Sequence, residues 1–208
     1  MFSLVNLYIA SYVVTIIKNI FFPSDYNIII EEQNQHPKIV ILFARCTQYY
    51  TLYAQLFLVY ALLYKEYVFE AHVMQTAIFI VYHYCIAKNA SLLTYEHKSI
   101  VNEITALLPP MNRNCLGWII LHIQHTLCPL HIWVLQLNVH ERIEYKEPLK
   151  NLIYINLFYM WWNRVCWLIQ RQPVYPFQKY IEDDLLIPFY CACFGLLITI
   201  ATALNFIF

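Results

Sequence analysis

The chain has 208 residues, 61% of them hydrophobic and only 12% charged, where a soluble domain carries about 25% charged residues. That balance excludes an ordinary soluble domain and reads as one all-α, polytopic membrane domain over residues 1–208. With a formal net charge of zero, nothing suggests nucleic-acid binding.

A transmembrane helix needs about 20 mostly apolar residues. Six windows qualify: 2–22, 39–63, 67–87, 115–137, 149–169 and 185–208. The expected fold is therefore a bundle of six transmembrane helices. No basic residue precedes the first apolar run, and no small-x-small cleavage site follows it, so it reads as a retained span. Phe22-Pro23-Ser24-Asp25 closes it, and Pro37 opens the second window at a position where its missing N–H costs little. The third window is the weakest, with Glu70, His72 and Gln75 in its first turns.

The one long loop, 88–114, carries Leu93, Ile100, Ile104, Leu107 and Leu108 at helical spacing against Glu96, Lys98 and Glu103. It reads as a short amphipathic helix on the membrane surface, stopped by Pro109-Pro110. Lys and Arg are in excess on the side of loops one, three and five, which favours the cytosol for those loops. The sequon Asn89-Ala90-Ser91 in loop three favours the lumen, so orientation stays open. The endoplasmic reticulum or another endomembrane is the default location, with the plasma membrane as the alternative. Seven cysteines, mostly inside apolar stretches, read as small buried side chains rather than a disulfide framework.

The fourth window holds the anomaly. Within Gly117-Trp118-Ile119-Ile120-Leu121-His122-Ile123-Gln124-His125-Thr126-Leu127-Cys128-Pro129, His122, His125 and Thr126 share one helical face. Polar groups at that depth are costly unless they face protein or a water-filled cavity. In window two, Thr47, Thr51 and Gln55 repeat every four residues, a second polar stripe. At 1.5 Å per residue, Thr47 and His125 lie about 12 and 15 Å below the same surface. Arg45 and Arg164 lie about 9 Å in. They are placed to hold a carboxylate at a pocket mouth or to snorkel to head groups.

Eight scattered histidines without an H-E-x-x-H or H-x-x-H-H box give no expected metal site or cofactor. No G-x-S-x-G elbow is present, and windows two and four hold no acidic residue to complete a triad. Threonine and histidine at matched depth can act as nucleophile and base, since neutral imidazole is a competent base near pH 7. The alternative is that both stripes serve only helix–helix hydrogen bonding.

Two stretches carry a family resemblance. The first is Gly117-Trp118, His122-Ile123-Gln124-His125-Thr126 and Pro129. The second is Tyr159, Trp161 and Trp167 followed by Val174-Tyr175-Pro176-Phe177. In these the chain resembles the androgen-induced membrane protein family, and span order extends the likeness over residues 39–208. The resemblance implies six spans and hydrolysis of fatty acid esters of hydroxy fatty acids, with a threonine nucleophile in helix two and a histidine base in helix four. His125 takes the base position. The family has a Gln seven residues after its threonine; Gln55 lies eight after Thr47 and four after Thr51. Thr47 is therefore the first expected nucleophile and Thr51 the second, with Thr51 otherwise beside the substrate. His122 would orient His125 or polarise the carbonyl. Arg45 and Arg164 would bind substrate, and Gln55 or Asn163 would serve the oxyanion. The expected partners are a lipid ester and the bilayer. The reading set against this is a non-catalytic membrane scaffold, lipid-binding or regulatory protein.

Overall fold

The computed structural model describes residues 2–21, 32–89, 119–137, 146–175, 178, 181 and 185–207. Among these, regular structure is helical throughout. We number the helices α1 (Phe2–Phe21), α2 (Lys38–Thr47), α3 (Tyr50–Tyr64), α4 (Val68–Asn89), α5 (Cys128–Leu137), α6 (Lys146–Gln170) and α7 (Leu186–Ile207). A π-helical segment, Ile123–Leu127, runs directly into α5. Each apolar window is thus largely helical where it is described.

Helix α4 is the hub. It touches α3, α5, α6, α7 and the π segment. Ala54 on α3 packs with Val73, Met74 and Ala77, and Leu152 of α6 and Ala201 of α7 complete that cluster. A second cluster joins Leu58 and Leu62 to Ala71, Cys128, Ile132 and Tyr8. The central position explains why the least apolar window lies where it does. Glu70, His72 and Gln75 are all but fully buried inside the protein, so their polarity faces neighbouring helices. Glu70 Oε1 accepts from Asn151 Nδ2 at 2.8 Å. The turn from α3 to α4 is made by Lys65 in the left-handed conformation (φ 65°), whose N–H closes on the Ala61 carbonyl at 3.0 Å. That backbone bond offsets the roughly 1–2 kcal/mol that a non-glycine residue pays there.

Three expectations change. The second window is not one helix. It breaks at Gln48 and Tyr49, with Tyr49 extended (φ −88°, ψ 133°), so the four-residue stripe Thr47–Thr51–Gln55 does not run on one continuous face. Helix length and composition do not carry the six-span bundle either. Among the described residues only α7, over Leu186–Phe206, is long and apolar enough to cross a membrane. Leu4–Ile17, Tyr50–Tyr64 and Ile119–Val134 are apolar but shorter. Not every cysteine is buried: Cys85, Cys128 and Cys166 are, but Cys191 and Cys193 are exposed on α7. The surface helix expected in loop three, and the sequon, fall largely outside the described residues.

Candidate active site

The helix break is held open by side chains from other elements. A broken helix leaves backbone groups without intrahelical partners, and burial makes each costly. Here the Thr47 carbonyl accepts from Tyr53 Oη and Trp162 Nε1, both at 3.1 Å. The Gln48 carbonyl accepts from Tyr159 Oη at 2.9 Å, and the Tyr50 N–H donates to Tyr175 Oη at 3.2 Å. Tyr159 and Tyr175 pair through their hydroxyls at 3.2 Å. Asn163 braces the same network, donating to Tyr159 Oη and accepting from Gln178 and Tyr190. Both ends of its amide are thereby engaged in the network around the break.

The break separates the two candidate threonines. Thr47 ends α2. Its hydroxyl donates to the Phe43 carbonyl at 2.8 Å and lies 3.2 Å from Trp162 Nε1, so it belongs to the α2–α6 interface. Thr51 opens α3, is buried, and its Oγ1 lies 3.1 Å from His125 Nε2. The structure therefore places the second expected nucleophile, not the first, on the expected base.

His125 is oriented from its other side. Its Nδ1 lies 2.8 Å from the Leu121 carbonyl. A carbonyl oxygen can only accept, so Nδ1 carries the proton and, in the neutral ring, Nε2 presents its lone pair. Thr51 must then donate. A hydroxyl, an imidazole and an orienting acceptor stand in the order found where a hydroxyl is activated, with a backbone carbonyl where a triad has a carboxylate. Tyr82 of α4, itself buried, stacks flat on the imidazole, with centroids 4.4 Å apart and planes within 19°.

His122 meets Thr126 and Tyr82. Its Nδ1 lies 3.2 Å from Thr126 Oγ1, which also meets His83 Nε2 at 3.1 Å. Its ring stands edge-on to Tyr82 at 5.7 Å, so it backs the residue that stacks on His125. Gln55, one turn after Thr51, donates Nε2 to the Gln124 carbonyl at 3.4 Å and to Cys128 Sγ at 2.8 Å. Gln124 in turn reaches Ser11 and Thr15 of α1, both at 3.4 Å. The π segment is thus tied to α1, α3 and α4 at once, and π turns recur at functional sites.

No family model, curated protein or solved structure matches the chain. The site therefore rests on its own geometry.

The two arginines have settings of their own. Arg164 stacks its guanidinium 4.7 Å over the Trp167 ring. Arg45 is buried in the last turn of α2. A hollow of about 500 Å³ between α3 and α6, lined by Leu56, Phe57, Tyr60, Tyr67, Asn151, Tyr154 and Ile155, contains neither Thr51 nor His125. Among the described residues, no group of three or more His, Cys, Asp or Glu could hold a metal ion.

Sequence reasoning missed Tyr82 and the Leu121 carbonyl. A tyrosine in an apolar helix carries no signal of its own, and a backbone acceptor carries none at all. The helix break gave no warning either, since no Gly or Pro lies between Lys38 and Lys65.

Proposed function

We propose that the chain is an intramembrane hydrolase of lipid esters, of the fatty acid ester of hydroxy fatty acid type, with Thr51 as nucleophile and His125 as base. The observation that carries this is the 3.1 Å contact of Thr51 Oγ1 with a His125 Nε2 whose tautomer is set by Leu121. The likeness to the androgen-induced family points to the same chemistry, with the nucleophile moved from Thr47 to Thr51. In the reaction, His125 Nε2 takes the Thr51 proton as Oγ1 attacks the ester carbonyl. The same proton then passes to the departing alkoxide, which leaves as an alcohol. Water repeats the cycle on the acyl-threonine and frees the acid.

The surroundings support that substrate class. Large apolar side chains lie exposed on every helix, Ile39, Leu56, Ile80, Val134, Leu157 and Ile187 among them. Only 22% of the apolar stretch of α7 is buried inside the protein, unlike the core helix of a soluble fold. Such a surface suits a bilayer, and an ester held there by its chains would meet Thr51 from the lipid side. Six crossings remain the arrangement we favour. Helices α2 and α3, of 10 and 15 residues, are each too short for about 30 Å of hydrocarbon, but end to end they reach across it. A break inside a span is tolerated where neighbours re-satisfy its backbone, as Tyr159, Trp162 and Tyr175 do here.

Labelling with a fluorophosphonate probe tests the assignment. The unmodified protein and Thr47→Ala should label, whereas Thr51→Ala and His125→Ala should not. Labelling lost in Thr47→Ala and kept in Thr51→Ala would return the nucleophile to Thr47. An unmodified protein that neither labels nor turns over an ester would be a scaffold, with Thr51 and His125 bonding helix to helix.

A further inference from the structure

The hollow between α3 and α6 has no part in the ester chemistry, yet its volume of about 500 Å³ is that of a small-molecule site, about 300–1,000 Å³. Its lining is graded along the helices. Leu56 and Ile155 lie about 12–14 Å from the near ends of α3 and α6, and make one part of the hollow apolar. Tyr60, Tyr67 and Asn151 line it closer to those ends. The ends themselves carry exposed charges, Lys65 and Glu66 in the turn and Lys146, Glu147 and Lys150 on α6. A hollow that runs from a charged end into an apolar flank has the profile of a lipid at a bilayer surface, and tyrosine favours that level.

The chemistry of the lining selects the head group. Tyr67 has its ring 5.7 Å from those of both Phe57 and Tyr60, at 82° and 65°. Its backbone is left-handed (φ 56°), uncommon for a bulky side chain, and residues held that way gather at ligand clamps. Two carboxylates are bonded to lining residues. Glu66 Oε2 accepts from Tyr60 Oη at 3.2 Å, and Glu70 Oε1 from Asn151 Nδ2 at 2.8 Å. Glu70 is 2% exposed, and among the described residues it meets that neutral amide and no cation. A buried carboxylate calls for positive charge, and no lysine or arginine is among the described residues that line the hollow. Aromatic rings backed by carboxylates suit a quaternary ammonium.

We propose that the hollow binds a phosphatidylcholine molecule, its trimethylammonium group against Phe57, Tyr60 and Tyr67 and an acyl chain along Leu56 and Ile155. The lipid is held rather than cleaved, since neither Thr51 nor His125 lines the hollow. It joins α3 to α6 and to the start of α4. The proposal goes beyond the hydrolase reading and asks only that this end of the helices lie at a bilayer surface.

The test compares head groups on identical chains. Purified protein in maltoside detergent is given phosphatidylcholine, phosphatidylethanolamine or phosphatidylglycerol. Bound lipid is counted by native mass spectrometry and the unfolding temperature is recorded. Phosphatidylcholine should bind about tenfold more tightly than the other two and raise the unfolding temperature at lower concentration. Tyr67→Phe keeps the ring and should keep that preference, whereas Tyr67→Leu should lose it. Glu66 is exposed, so Glu66→Lys leaves the core intact; it should turn the preference toward phosphatidylglycerol. Equal retention of all three lipids by the unmodified protein would mean that the hollow holds only a hydrocarbon chain, and would overturn the proposal. A choline preference that survives both Tyr67→Leu and Glu66→Lys would place the head group elsewhere and overturn it too. Phosphocholine without chains should not displace the lipid at equal concentration; if it does, the site serves a soluble choline compound and the lipid assignment fails.

Discussion

The imidazole of His125 is constrained in three ways. Leu121 sets its protonation through Nδ1, Thr51 meets Nε2, and Tyr82 covers one face. The stack is a contact of the ring, not of the hydroxyl, so the two parts of the tyrosine separate by mutation. Tyr82→Phe should label with fluorophosphonate at close to the unmodified rate. Tyr82→Leu loses a stacked pair of about 0.5–1.5 kcal/mol and frees the imidazole to tilt, so its labelling rate should fall roughly tenfold. Equal rates in both variants would leave Tyr82 as filler. The histidine itself was legible in the sequence, because a polar residue midway along an apolar run must face protein or water. The acceptor that orients it was not, since every residue carries a carbonyl and only the fold selects Leu121.

The decisive element is the break between α2 and α3. Read as one helix, residues 39–63 place Thr47 and Thr51 on a common face, and depth alone favours Thr47. The break turns them toward different neighbours, Thr47 to Trp162 and Thr51 to His125. Its cause is tertiary: the hydroxyls of Tyr159 and Tyr175 and the indole of Trp162 supply the partners that a continuous helix would supply itself. Residues more than a hundred positions away thus decide which threonine meets His125, and no local pattern reports that. Tyr175→Phe tests the arrangement. It strands the Tyr50 N–H in a buried setting and should cost about 1–3 kcal/mol, seen as a lower unfolding temperature in detergent. Because Tyr50 precedes Thr51, labelling should fall as well. A variant as stable and as reactive as the unmodified protein would mean that the break holds itself open.

At the scale of the molecule, a polar group is buried in the hub while large apolar side chains face outward. Glu70, His72 and Gln75 are buried in the hub helix α4, while Phe21, Ile39, Tyr84, Ile187 and Phe206 are among the most exposed side chains. The composition foretold an apolar chain, and the windows located its helices. What it could not show is that the least apolar window would sit at the centre, because burial among helices and exposure to lipid both tolerate a mixed sequence for different reasons. In water, exposed apolar area on this scale costs about 25 cal/mol per Å² and would drive association; in a bilayer it costs nothing. Among the described residues, length and composition single out α7 alone as a span, so the two arrangements make different predictions. A bundle that crosses repeatedly should stay in the membrane pellet through alkaline carbonate washing and leave only with detergent. If the chain crosses repeatedly, removing α7, by ending the chain after Gln178, should not change that. If the shortened chain washes free, α7 is the sole anchor, and Thr51 and His125 would then meet an ester at the membrane surface rather than within it.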